Sequence, residues 1–386
     1  MIYLDNAATT KLDPFVLEAM LPYLREDYGN PGSIHSLGIR ARQAVDKARE
    51  QVAAYIGCSP EQVIFTSGGS EGNSMVLRQA LAGGVVCSAV EHDSIIRQKV
   101  WNGNSLMAGF IEVDMDGCLK PEALRRVLEK EYPAVDMVSV MHTNNEIGTV
   151  NDIKGLSEVI EDYGIWFHSD YTQAKLSDGP SFRLNEIFGL DYATFSAHKI
   201  HGPKGVGAIY AKDKRVGLDG VSPMTPLIAG GEFQEYGFRG GTENVAGIVG
   251  FGKACELASQ GWEEDHKKLE YLSGLFRYEL DYSLTDINHW YNGGNSKSPI
   301  VSVGFEGVDA NSLVLMLSTE GICVSAGSAC NGQSDRPSHV LTAIHLTDEE
   351  ARSTIRVSLS CENEEAEVAE AARTVAECVK ELQSMR

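Results

Sequence analysis

Ser196-Ala197-His198-Lys199-Ile200-His201-Gly202-Pro203-Lys204-Gly205 places a lysine where the apolar run 191–197 gives way to a turn of glycine and proline. In open α/β sheets such strand ends expose reactive side chains to a shared crevice. A lone loop lysine is ordinarily solvated. What Lys199 means therefore depends on what the other strand ends carry.

Working outward, short apolar runs alternate with helical periodicity. Strands are predicted at 63–66, 85–90, 137–141, 165–169 and 206–210, and helices at 71–82, 121–131 and 153–163. This alternation gives an α/β fold class, a mainly parallel sheet covered by helices. Upstream lie a short arm (2–10), a helix opening at Pro14, a turn at 29–35 and a long amphipathic helix at 37–56. Beyond about residue 252 the texture changes to a charged helix (263–281), a strand (300–305), a helix (311–320), a strand (354–359) and a last acidic helix. That pattern predicts a second, smaller α+β domain.

The chain has 386 residues, 43% hydrophobic, with 33 Lys and Arg against 54 Asp and Glu, for a net charge of -21. That charge disfavours nucleic acid and anionic membrane surfaces. No leader pattern or apolar span is recognised, so a cytoplasmic location and no membrane contact are expected. The eight cysteines form no C-x-x-C pair and no zinc spacing, so no metal site is expected.

Four further strand ends carry polar groups. Ser67-Gly68-Gly69-Ser70-Glu71 opens a helix, and its N–H groups and the Ser70 hydroxyl suit a phosphate; an ordinary N-cap would look the same. Glu91-His92, Asn144-Asn145-Glu146 and Asp170 could each be a satisfied polar group, a turn or a cap. Together with Lys199 they have one shared explanation. A lysine for an aldehyde, a carboxylate for a pyridine nitrogen and donors for a phosphate suit pyridoxal 5′-phosphate.

Several motifs then resemble one family: Tyr3-Leu4-Asp5-Asn6-Ala7-Ala8-Thr9-Thr10, Gly29-Asn30-Pro31, Glu91-His92, Asn144-Asn145-Glu146-Ile147-Gly148, Ser196-Ala197-His198-Lys199, Arg239-Gly240-Gly241-Thr242-Glu243-Asn244 and Ser325-Ala326-Gly327-Ser328-Ala329-Cys330. In order, and over residues 3–360, they resemble the cysteine desulfurases of the NifS/IscS type. The resemblance implies a fold-type I pyridoxal-phosphate transferase acting as a homodimer. Its large cofactor domain would span 14–255, and its small domain 1–13 and 256–386. Lys199 would carry the cofactor, Asp170 would pair with the ring nitrogen, and Gln173 would bond the phenolic oxygen. His92 would stack on the ring and assist proton transfer. Gly69, Ser70, Ser196 and His198 would hold the phosphate, with Thr242 reaching across the dimer. Arg356 would take the substrate carboxylate, helped by Asn30 and Asn145.

The resemblance also implies the reaction. L-cysteine would become L-alanine, and Cys330 would keep the sulfur as a persulfide for an acceptor protein: an iron-sulfur scaffold, a tRNA-thiolation protein or a DNA-modification protein. Selenocysteine lyase, pyridoxal-phosphate aminotransferase and a non-catalytic sulfur-relay partner are the alternatives. Tyr236 departs from the family pattern, standing where arginine is common, as does Tyr171, which strand alternation should point away from the ring.

Overall fold

Apolar runs with no interior charge become strands buried on both faces. The computed structural model describes residues 1–80, 83–98, 106–132, 134–174, 183–213, 224–294, 298–327 and 336–385. Its large sheet contains β2 (Val63–Thr66), β3 (Val85–Ser88), β4 (Met107–Ile111), β5 (Met137–Ser139), β6 (Trp166–Asp170), β7 (Tyr192–Ser196) and β8 (Gly207–Ala211). The spatial order is β2-β8-β7-β6-β5-β3-β4. β8 alone runs antiparallel to its neighbours β2 and β7, and the other pairings are parallel. The carboxyl ends of β2, β3, β5, β6 and β7 therefore lie on one edge of the sheet, as the sequence predicts.

Β9 (His289–Asn292), β10 (Ile300–Phe305) and β12 (Thr354–Ser358) form an antiparallel sheet in the order β12-β10-β9. The N-terminal β1 (Ile2–Tyr3) pairs in parallel with β11 (Ile322–Cys323). Ile2 and Leu4 are consequently packed with Leu272, Phe276, Val301, Val357 and Val375 in a core distinct from that beneath the large sheet. Helix Val245–Gln260 continues past residue 255, with Leu257 still packed on the large-sheet core.

Element boundaries differ where polar caps outweigh periodicity. The helix predicted at 71–82 runs Gly69–Leu77, starting at its glycine turn. The strands predicted at 85–90 and 137–141 stop at Ser88 and Ser139, before the residues that turn into the crevice. Sequence reading missed β4, a peripheral strand with alternating exposure, and helix Val245–Gln260, whose glycines weaken a helical signal. Those glycines serve packing: a Cβ on Gly252 would stand 2.8 Å from the Ala48 Cα of helix Ser36–Ile56. Tyr236 lies beside the buried Arg49–Glu235 pair (2.6 Å), with the Arg49 guanidinium 5.1 Å from its ring centroid.

Candidate active site

The shared sheet edge holds a cavity of about 190 Å³. Gly69, Ser70, His92, Asn145, Asp170, Gln173, Ser196, His198, Lys199 and Arg356 all line it. Residues predicted from six separate stretches thus converge on one chamber.

Lys199 ends a single 3-10 turn, Ala197–Lys199, that follows β7 directly. Its Nζ donates to the carbonyls of Ala7 and Ala8, the latter at 3.0 Å. Gln173 Nε2 donates to the same Ala7 carbonyl at 2.8 Å. The N-terminal arm is therefore a wall of the chamber. Neighbouring His198 is held neutral at physiological pH, its pKa lowered to about 4 by burial and by Lys199 and Lys204.

Asp170 ends β6 and is 6% exposed. Asn73 Nδ2 donates to Oδ2 at 2.7 Å, and the Thr172 N–H donates to Oδ1 at 2.9 Å. Both oxygens are accepting, which suits a carboxylate. Two residues earlier on the same strand face, His168 is fully buried between Ser139 Oγ (2.8 Å) and Thr194 Oγ1 (3.0 Å). Burial holds it neutral, with a pKa lowered to about 4.

The end of the chamber at Gly68 is built from backbone. Helix Gly69–Leu77 begins at Gly68 without a side-chain cap, leaving its first N–H groups open to an anion. Gly68 has φ 149° and ψ -177°, a conformation open essentially to glycine alone. A Cβ on Gly69 would stand 3.0 Å from Thr172 Oγ1, tighter than ordinary packing, so a side chain there would press on that hydroxyl. Ser196 Oγ and Thr172 Oγ1 are buried and have no hydrogen-bond partner among the described residues. Orphaned hydroxyls beside an uncapped helix start fit a phosphate ester, a neutral His198 can donate to it, and the set suits pyridoxal phosphate. Arg239 pairs with Glu71 at 2.9 Å in the first turn of this helix. Burial of Glu71 opposes its charged form, but Arg239 and Ser67 together hold its pKa below the ordinary value.

His92 Nδ1 accepts the Ser94 N–H at 3.1 Å, which puts a neutral ring's proton on Nε2. Glu91 before it is fully buried; its Oε1 accepts from Ser88 Oγ at 2.5 Å and from the Met141 N–H at 2.7 Å. Burial raises the Glu91 pKa to about 8, with Asp170 adding repulsion. Folded Glu91 thus holds a proton that the unfolded chain has lost, so its contribution to stability falls as pH rises from the unfolded value of 4.5 to about 8. Glu91→Gln should flatten that part of the profile: the difference in unfolding free energy, mutant minus wild type, should rise between pH 5 and 8 in denaturant titrations.

Asn30 and Thr242 do not line the cavity. Asn30 is exposed and accepts the Gly32 N–H at 2.9 Å, and Thr242 is exposed. Cys330 lies outside the described residues. Tyr171 points away from the chamber, stacking on His142 at 4.6 Å and packing near Phe195. Sequence reading missed Asn73 and Thr172. Asn73 lies three residues after Ser70 in one helix, a spacing that places both on one face and could have flagged it.

Comparison with known proteins gives the family of the chain. The aminotransferase class-V family matches residues 2–370. A protein of Dictyoglomus turgidum named cysteine desulfurase IscS is 38% identical, over 93% of this chain and 89% of its own length. Among solved structures, a NifS-like protein is 32% identical with a TM-score of 0.84, covering 99% of this chain and 100% of that one. Another, titled SspA in complex with cysteine, is 30% identical with a TM-score of 0.75, covering 93% and 99%.

Proposed function

The chain belongs to the aminotransferase class-V family, and from that premise we propose that its chamber converts L-cysteine to L-alanine and passes the sulfur to Cys330 for delivery to an acceptor protein. It is a pyridoxal-phosphate-dependent cysteine desulfurase. The observation that carries the residue roles is the convergence of Lys199, Asp170, Ser196 and Arg356 on one cavity. Bound there, pyridoxal phosphate supplies an electron sink that makes the substrate Cα–H acidic.

The protein's own groups do the rest. Lys199 presents its Nζ at the end of β7 and then carries the Cα proton. Asp170, braced by Asn73 and Thr172, would keep the ring nitrogen protonated, and Gln173 would bond the phenolic oxygen. Gly69, Ser70, Ser196 and His198 would hold the phosphate, and His92 would stack on the ring. Arg356, with Asn145, fixes the substrate carboxylate by paired hydrogen bonds. The Cys330 thiolate attacks the substrate sulfur, and the Cβ–S bond breaks with its electron pair staying on carbon. Protonation of that carbon gives alanine, while Cys330 carries the sulfur as a persulfide; overall, L-cysteine and one thiol give L-alanine and one persulfide.

The protein acts as a homodimer, with Thr242 serving the partner's phosphate site and Asn30 helping to orient the substrate carboxylate. Exposed Phe15, Leu24, Tyr28 and Ile34 (94% exposed) supply apolar surface for that contact. No described helix is long and apolar enough to cross a membrane. We place the reaction in the cytoplasm, whose reducing poise keeps such a thiol available. The acceptor is an iron-sulfur scaffold, a tRNA-thiolation protein or a DNA-modification protein.

In a first-turnover assay, L-cysteine should give alanine and protein persulfide in equal amounts. Free sulfide or pyruvate in place of that pair, with no persulfide by mass spectrometry, would reject the reading.

A further inference from the structure

Arg356 is 2% exposed, yet it is not a bare buried cation awaiting substrate. Its Nη2 donates to Asp5 Oδ1 at 2.7 Å and its Nη1 to the Asn145 carbonyl at 2.8 Å. Its Nε has no hydrogen-bond partner among the described residues. The guanidinium is thus held on two sides and keeps unused N–H capacity on an edge of the chamber.

Asp5 is itself fixed from several directions. The same Oδ1 accepts from Ser325 Oγ at 3.0 Å. A parallel bridge joins Asp5 to Ser358 of β12, and the Asn6 N–H donates to the Ser358 carbonyl at 3.2 Å. Ser325 is tied to the Arg356 backbone, giving its N–H to the Arg356 carbonyl (3.1 Å) and accepting the Arg356 N–H (2.7 Å). The strand that carries the arginine therefore also positions its counter-ion. Asp5 is not among the residues that line the chamber, so it acts through Arg356.

We propose that Asp5 is a positioning residue that also sets, by competition, how tightly Arg356 holds the α-carboxylate of the amino acid. This rests on the reading that Arg356 receives that carboxylate. A buried guanidinium without an anion is strongly disfavoured, and Asp5 removes that penalty before substrate arrives. The incoming carboxylate then meets an arginine whose charge is already partly neutralised, so its attraction is reduced. L-alanine carries the same carboxylate, so the arrangement favours product release as well as limiting substrate affinity.

Two substitutions separate bracing from competition. Asp5→Asn keeps an acceptor oxygen for Arg356 and Ser325 but removes the charge; Asp5→Ala removes both. Each holoenzyme is titrated with L-alanine, and with 2-aminoethanethiol, which has the amine and thiol of cysteine but no carboxylate. The readout is the absorbance change of the bound cofactor. Asp5→Asn should lower the dissociation constant for L-alanine about fivefold, and Asp5→Ala should raise it about fivefold. Neither should move the value for 2-aminoethanethiol. Weaker L-alanine binding in Asp5→Asn, or equal shifts for both ligands, would overturn the competition; tighter binding in Asp5→Ala would overturn the bracing. Arg356→Ala is the control for the underlying reading. If it binds L-alanine as the wild type does, that reading and the proposal fall together; if it loses L-alanine while Asp5→Asn fails, the proposal alone falls.

Discussion

Lys199→Ala should fold as the wild type does and lose alanine formation from L-cysteine by at least about a thousandfold, because in the proposed reaction one group would both carry the cofactor and move the Cα proton. The local geometry explains why no neighbour can substitute. Lys199 Nζ is aimed at the chamber from a single turn after β7, and the Ala7 and Ala8 carbonyls hold it there. The next lysine on the same turn, Lys204, is exposed and does not line the chamber. Gln173 still donates to the Ala7 carbonyl in the variant, so the arm keeps one tie. Alanine assays should be paired with thermal unfolding and with the absorbance band near about 420 nm expected of the lysine-bound cofactor. Partial recovery with added methylamine would identify the missing amine as the cause. Alanine formation within tenfold of wild type would remove Lys199 from the reaction.

Cys330→Ser should have a comparable effect on turnover, a loss of at least about a hundredfold, by a different route. Serine is a poor nucleophile toward sulfur, so L-cysteine should bind but neither alanine nor persulfide should accumulate. Binding should survive because the groups proposed to hold cofactor and carboxylate, Lys199, Asp170, Ser196 and Arg356 among them, are unchanged in this variant. Four of the other cysteines are poor replacements. Burial pushes the Cys87 and Cys255 thiols well above the ordinary value, so both stay protonated. Cys118 and Cys378 are raised in the same direction, chiefly by burial. Cys361 lines a smaller cavity that shares Ala7, Thr172, Gln173 and Lys199 with the chamber, so mass spectrometry should test it by name. A persulfide on Cys361, or undiminished alanine in Cys330→Ser, would reassign the sulfur acceptor.

Much of the chamber was legible in the sequence because most of its polar residues sit where an apolar run ends; Arg356, in the middle of β12, is an exception. Asp170 closes β6, Lys199 follows β7, and Gly69 opens the helix after β2. Residues acting through a neighbour were not legible. Helical spacing from Ser70 could flag Asn73 as sharing its face, but nothing local shows that it donates to Asp170, 97 positions away. Asp5 was quoted within a motif, yet its pairing with Arg356 spans 351 residues and depends on the arm lying along β12. The weak elements, β4 and helix Val245–Gln260, were missed for a related reason: edge exposure and glycine content blur local periodicity, while packing against neighbours restores the element.

The sequence by itself determined the alternation of strands and helices, hence a mainly parallel sheet, and the placing of the lysine, the acid and the glycine turn at strand ends; Arg356 came from the family resemblance. These follow from short-range rules, since side-chain period and strand ends are set within a few residues of chain. Only the tertiary structure decided that the N-terminal arm closes the chamber, that Asp5 neutralises Arg356, and that Glu91 is buried deeply enough to hold its proton. Each depends on groups far apart in the chain being brought out of water together, and the energy of a buried charge is set by that shared surrounding rather than by its neighbours in sequence.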